Sequence, residues 1–237
     1  AAGGTGTAAS LTSGGRQIVG GTALNTTVGA GGEQVLSGTG WTLTSNTLLS
    51  GGTQSLVAGA VLSATTIDSG VTQTVSSGGT ALDETLAGTQ NVLASSLVSG
   101  TKVENGGVQN VASAAMVSGT TVSAGGTQSV ASGAVVNDDT ILSGAVLQLA
   151  SGASLGGTTA LGGTLSISGS ETLEAVDASQ GAAFAFAALT GSSYRTLTLT
   201  NLTGSASFLL QSDLANNASD QVVITSQTSG AANTVKF

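Results

Sequence analysis

The chain has 237 residues with 37 Gly, no Pro, no Cys and no His, and it carries 4 basic against 12 acidic residues. The cations Arg16, Lys102, Arg195 and Lys236 are scattered along a chain of net charge −8, which leaves no concentrated basic face for nucleic acid or an anionic membrane. Without Cys or His there is no disulfide framework and no thiol or imidazole for nucleophilic catalysis.

Residues 1–12 are small and mostly polar and read as an N-terminal extension, either a frayed start or the remnant of a preceding coil. The sequence opens on Ala1 with neither an initiator Met nor a signal-peptide pattern, as expected of a processed product or of a segment of a longer protein.

From residue 13 to residue 163 the chain repeats. Gln recurs at Gln17, Gln34, Gln54, Gln73, Gln90, Gln109, Gln128 and Gln148, at intervals of 17, 20, 19, 17, 19, 19 and 20 residues. Two residues after each Gln stands an apolar side chain: Val19, Leu36, Leu56, Val75, Val92, Val111, Val130 and Ala150. Seven residues on are Leu24, Trp41, Val61, Leu97, Met116, Val135 and Leu155, with Ala81 one place late. Thirteen residues on are Leu48, Ile67, Leu86, Val103, Val122, Ile141 and Leu161, and Val28 takes that place at offset 11 in the first repeat. A linker of Gly, Ser and Thr needs no such phase, and a mean hydropathy of +0.36 leaves apolar surface to bury. Segments such as Thr53-Gln54-Ser55-Leu56-Val57 and Ala64-Thr65-Thr66-Ile67 are short, β-branched and bounded by Gly or Ser, so they read as strands. No stretch carries a helical apolar stripe.

Three apolar positions held in phase over eight repeats predict an all-β solenoid, a parallel β-helix with three short strands per coil. Stacked at roughly 4.8 Å, eight coils make a rod of about 40 Å with one apolar column per strand inside. The Gln column becomes an amide ladder along the axis. Gly pairs such as Gly51-Gly52 and Gly106-Gly107 fall between the strands, where corners need positive φ. A second polar column, Thr27, Thr47, Thr66, Thr85, Lys102, Thr121, Thr140 and Ala160, precedes the third apolar one. Thr there suits an exposed sheet face and is also a candidate face for binding.

Residues 164–237 lose the periodic Gln and hold five of the six aromatic residues: Phe184, Phe186, Tyr194, Phe208 and Phe237. A β cap of this kind is expected where a solenoid end exposes strand edges and core. The apolar run 182–189 is too short to span a bilayer.

The acidic residues offer little chemistry. Asp83-Glu84 and Asp138-Asp139 are adjacent in sequence, so within a strand they point to opposite faces. Asp68 and Glu84 lie in successive coils, close enough in the stack to be able to approach each other, but no aromatic sugar platform accompanies them. The Gly pairs lack the Asp of a calcium-binding nonapeptide repeat and the Lys of a phosphate loop. No cofactor or metal is expected. Asn25, Asn201 and Asn217 match the N-glycan acceptor pattern at a frequency chance explains in so Asn-, Ser- and Thr-rich a chain.

The unit Gly-Gly-Thr-Gln-x-Leu at Gly51–Leu56, with Thr-Thr-Ile downstream at Thr65–Ile67, resembles the repeat of AIDA-type self-associating autotransporter adhesins of Gram-negative bacteria. Tyr194–Gly204, Phe208–Leu214 and Ser219–Thr225 resemble the end of pertactin-like passengers, the region often called the autochaperone. This resemblance implies a right-handed β-helix capped and helped to fold by its C-terminal segment. It implies export through an outer-membrane translocator barrel and display at the cell surface, with Phe237 where a passenger meets its linker. It further implies a non-enzymatic adhesin that associates with itself on neighbouring cells, promotes aggregation and biofilm, and attaches to a host glycan or protein receptor. A cytoplasmic heptosyltransferase is an expected partner, with exposed corner hydroxyls such as Ser13, Ser50 and Ser77 as acceptors. Few charges mean that association rests on hydroxyls, amides and shape. The alternative is a module that binds a repetitive surface, glycan or ice, through its Thr face.

Overall fold

A computed structural model describes residues 5–39, 42–187, 194–213, 218–230 and 232–237. Trp41, expected in the second apolar column, lies outside them, as do Leu214, Asn217 and the last two residues of the run 182–189.

One coil sets the pattern. Strand Thr53–Leu56 turns through Ala58-Gly59 into Val61–Ser63, bends at Ala64 into Thr66–Ile67, and turns again at Ser69-Gly70 into Thr72–Val75 of the next coil. Equivalent strands stack in parallel: Gln54 lies beside Gln73, Leu62 beside Ala81 and Ile67 beside Leu86. The three-residue strands form a nine-stranded sheet, and the other two kinds of strand run in register beside it. The chain is therefore a parallel β-solenoid, with no helix among the described residues.

Two backbone devices make the corners. The bend between the three-residue and two-residue strands is a single left-handed residue, with φ of 52° at Ala64 and Asp83, 71° at Gly100, 64° at Gly119 and 54° at Asp138. Gly, Asp and Asn tolerate this conformation best, and one such residue per coil turns the strand sharply. Within the Gly pairs the two residues do different work. Gly106 holds φ of 81°, whereas a Cβ on Gly107 would sit 2.3 Å from the Leu86 carbonyl of the coil before.

The core is one continuous stack. The columns two and thirteen residues after Gln are buried as expected, from Leu36 to Val130 and from Leu48 to Leu161. Among the described residues, the column seven residues on enters the core only at Ala81 and Leu155. Val61, Leu97, Met116 and Val135 face outward, and the interior column is Leu62, Ala81, Val98, Val117, Val136 and Leu155. Both residues of each dipeptide Val61-Leu62, Leu97-Val98, Met116-Val117 and Val135-Val136 are apolar. Hydropathy alone thus leaves a one-residue slip open, and such a slip reverses every face.

The two ends differ from the expected division. Thr5–Thr7 pairs with Thr22–Leu24 and Ser10–Leu11 with Thr27–Val28, so residues 5–11 form a coil ahead of residue 13, the second of the two readings of this stretch. Thr164–Ile167 pairs in register with Val146–Leu149, so the array runs past residue 163. Beyond it Glu171–Phe186 and Thr196–Leu209 wrap whole coils as long strands and pair in parallel with each other. Gln221–Ile224, Gln227–Thr228 and Thr234–Lys236 add a final layer to the same ladder. The aromatic side chains pack where the strands lengthen: Phe184 and Phe208 stack with ring centroids 5.0 Å apart, while Phe237 is exposed.

Candidate functional site

The Gln residues and the faces around them define what this solenoid offers to other molecules. Gln34, Gln54, Gln73, Gln90, Gln109 and Gln128 point inward and are buried. Each side-chain N–H donates to the preceding carboxamide oxygen, from Gln34 Nε2 to Gln17 Oε1 at 2.9 Å through to Gln128 Nε2 to Gln109 Oε1 at 2.9 Å. Gln148 is not in this ladder. Leu147 lies beside Gln128, and Gln148 faces outward beside Ser129, whose hydroxyl donates to Gln148 Oε1 at 2.9 Å. The coil advances 19 residues, from Gln128 to Leu147, so a Gln 20 residues on falls at the next, outward position. Its partner Ala150 likewise gives way to Leu149 in the buried column.

A second buried polar column runs beside the amides: Thr26, Asn46, Thr65, Glu84, Thr101, Thr120, Asp139 and Thr159. Periodicity in apolar residues gave no sign of it. Part of its work is to accept corner N–H groups, as Asn46 Oδ1 does from Thr26 N at 2.9 Å and Asp139 Oδ1 from Thr120 N at 2.8 Å. Glu84 Oε1 accepts from Gln73 Nε2 at 2.6 Å, and Gln90 Nε2 donates to its other oxygen. Burial pushes the Glu84 carboxyl up to about 8, against the pull of the Gln73 amide. Burial likewise pushes Asp139 up to about 6, opposed by Gln128 and the Thr120 N–H and assisted by Asp138.

This geometry separates the acids. Glu84 and Asp139 are inside, while Asp83 and Asp138 are exposed at their corners. Asp68 is half-buried just past the strand Thr66–Ile67 and Glu84 is inside, so the two do not converge. Among the described residues no group of three or more acidic side chains is placed to hold a metal ion.

Four outer features remain. Thr27, Thr47, Thr66, Thr85, Lys102, Thr121, Thr140 and Ala160 stand in one register-matched column on the outside of the two-residue strands. Ser13, Ser50 and Ser77 are exposed at corners. The nine-stranded sheet has no charged residue in any strand, and its outer face shows Leu97 at 43% and Met116 at 53% exposure beside the hydroxyls of Ser99 and Ser118.

The last feature is a groove of about 870 Å³ along the outside of the four-residue strands. One wall is the column Thr74, Asn91, Asn110, Ser129, Gln148 and Ser166; the other side carries Leu93, Ala112, Ala131 and Ala150, followed by the hydroxyl of Ser168. A signal for it exists in the sequence, because a polar residue directly follows Gln73, Gln90, Gln109 and Gln128.

A family model described as Pertactin matches residues 171–235, the stretch of long strands and final layer. No curated protein matches the chain. Among solved structures, the crystal structure of the TibC-catalyzed hyper-glycosylated TibA fragment is similar, with 26% identity and a TM-score of 0.63 over 98% of this chain and 89% of that one.

Proposed function

From an autotransporter adhesin passenger, exported through the outer membrane and exposed at the cell surface, we propose a non-enzymatic adhesin that joins cells by lateral self-association. The observation that carries this reading is the uncharged outer face of the nine-stranded sheet, with Leu97 and Met116 exposed on its sixth and seventh strands. On a chain of net charge −8, a charge-free face is where two copies meet without like-charge repulsion. Nine strands at about 4.8 Å and three residues per strand give roughly 40 by 10 Å, or about 400 Å². That is half of the ~800 Å² per partner in a stable complex, so single contacts are weak and a cell surface supplies the number.

The TibA fragment is hyper-glycosylated by TibC. By analogy we assign a cytoplasmic heptosyltransferase as a partner here, with Ser13, Ser50 and Ser77 as acceptors and a translocator barrel as the export partner. An intact mass equal to the sequence mass after co-expression with such a transferase would remove the glycosylation claim. Biofilm formation and attachment to a host receptor belong to the same reading. Cells displaying the passenger should clump and settle, and Leu97→Lys with Met116→Lys should keep them dispersed. Cells that neither clump, settle nor attach would overturn the adhesin reading. The Thr column remains the alternative face for a repetitive surface, and Thr66→Ala with Thr85→Ala should leave settling unchanged if the uncharged sheet is the contact.

A further inference from the structure

We propose that the groove beside Asn91, Asn110 and Gln148 binds a neutral polysaccharide lying along the solenoid axis. Its wall presents one amide or hydroxyl per coil from Thr74 to Ser166, and none of its lining residues is charged. Asn110 Nδ2 donates to Asn91 Oδ1 at 3.0 Å, and Ser129 Oγ donates to Gln148 Oε1 at 2.9 Å. These bonds spend one donor and one acceptor on each pair. They leave the Asn110 carboxamide oxygen and the N–H groups of Asn91 and Gln148 directed to a ligand.

Gln148 enters this wall because it stands one residue past the ladder position, which Leu147 fills, and so takes the outward place between Ser129 and Ser166. Opposite, Leu93 at 41% exposure and the Ala112, Ala131 and Ala150 methyls form a narrow apolar shelf. Alternating hydroxyls and a C–H face are what a sugar ring offers to such a pair of walls.

The spacing selects between chain types. The wall repeats about every 4.8 Å, whereas an extended peptide presents same-side groups about every 6.6–6.8 Å and falls out of step within a few residues. A pyranose unit is close to one coil in length. The absence of charge from the lining disfavours anionic glycans and charged peptides, because a charge brought there is desolvated without a partner. Among the described residues no aromatic ring lines the groove, so affinity per chain is modest and grows with the number of coils engaged. This site is distinct from the uncharged sheet assigned to self-association and from the Thr column.

The test uses the unmodified chain with neutral hexasaccharides of glucose, mannose and N-acetylglucosamine as probes, read by side-chain amide shifts in NMR. At least one probe should shift the Asn91, Asn110 and Gln148 amides. Asn110→Ala and Gln148→Ala should each weaken it about tenfold or more, while Thr66→Ala on the other face leaves it unchanged. Thermal melts equal to the parent show that the exposed variants remain folded. The proposal is overturned if no neutral probe moves these amides at about 10 mM, if binding survives both substitutions, or if only charged glycans or peptides bind. Loss of cell settling in Leu97→Lys with Met116→Lys, with saccharide binding intact, would separate this site from self-association.

Discussion

Gln128 lies beside Leu147 in the parallel ladder, and its Oε1 is buried with no hydrogen-bond donor. Each Gln in the stack accepts from the coil that follows, so a Leu in the next layer ends the chain of bonds on an unpaired oxygen.

The ladder therefore has an interior and an end, which substitution distinguishes. Gln109→Leu deprives Gln90 Oε1 of its use as acceptor for that amide and Gln128 Nε2 of its Gln109 acceptor. Leaving buried polar groups unpaired costs about 1–3 kcal/mol. Gln148→Leu, at the same place in the sequence repeat but outside, is expected to change stability by less than about 0.5 kcal/mol. Denaturant titration of both variants checks the register, and equal losses would contradict it.

Much of the solenoid was legible because burial repeats: Leu48, Ile67 and Leu86 stack where spacing puts them. What spacing missed has specific causes. Val61-Leu62 and Met116-Val117 offer two apolar side chains to a single interior place, and only the position of the corner residue decides which one enters. Glu84 and Asp139 were legible as facing away from Asp83 and Asp138, but not as facing inward, because a buried carboxyl contradicts the usual preference for exposed charge. The groove was hidden for another reason. Thr74, Asn91, Asn110 and Ser129 share polarity and register but not identity, so they lack the visible repetition of the Gln column.

The buried carboxyls make the array favour acid. Glu84 is raised from 4.5 to about 8 and Asp139 from 3.8 to about 6. A carboxyl whose folded value is raised leaves the unfolded state the stronger acid, so ionisation favours unfolding. The stability from neutral side chains is full below the unfolded values. It falls between 3.8 and about 6 for Asp139 and between 4.5 and about 8 for Glu84. The melting temperature should decline across that range, and Glu84→Gln should flatten the decline between about 6 and about 8. A melting temperature that rises with pH there would contradict the burial of Glu84.

The Gly pairs yield a contrast within one turn. Gly106 has open space where a Cβ would go and needs only its φ of 81°, whereas a Cβ on Gly107 meets the Leu86 oxygen at 2.3 Å. Gly106→Ala is expected to cost about 1–2 kcal/mol from the left-handed backbone. Gly107→Ala forces neighbouring coils apart and should cost more, about 3 kcal/mol or above. Thermal melts of the two variants give the order, and a reversed order would refute the assigned division of labour.

At the other end, Arg195 is tied to Asp220 by a side-chain pair of 3.0 Å that is 7% and 0% exposed. Arg195 also donates to the Ala187 carbonyl at 2.7 Å and lies 4.9 Å from the centre of the Phe186 ring. Asp220 further accepts the N–H groups of Arg195 and Gln211, fastening the final layer to the long strands. Burial pushes the Asp220 carboxyl up, but the Arg195 side chain and these backbone N–H groups outweigh it and hold the carboxyl below its ordinary value. A lowered folded value contributes stability that is present above the unfolded value of 3.8 and lost as pH falls below it. The C-terminal layers are thus expected to loosen in strong acid while the array does not. Arg195→Met leaves a buried carboxylate unpaired and should cost about 3–5 kcal/mol. If these layers also secure folding, removal of residues 194–237 should leave the array poorly folded. Hydrogen exchange at low pH, following Leu199 and Leu202 against Leu86, separates the two ends. Uniform exchange along the chain, or a truncated chain that melts like the intact one, would contradict the assignment of a securing role to Arg195 and Asp220.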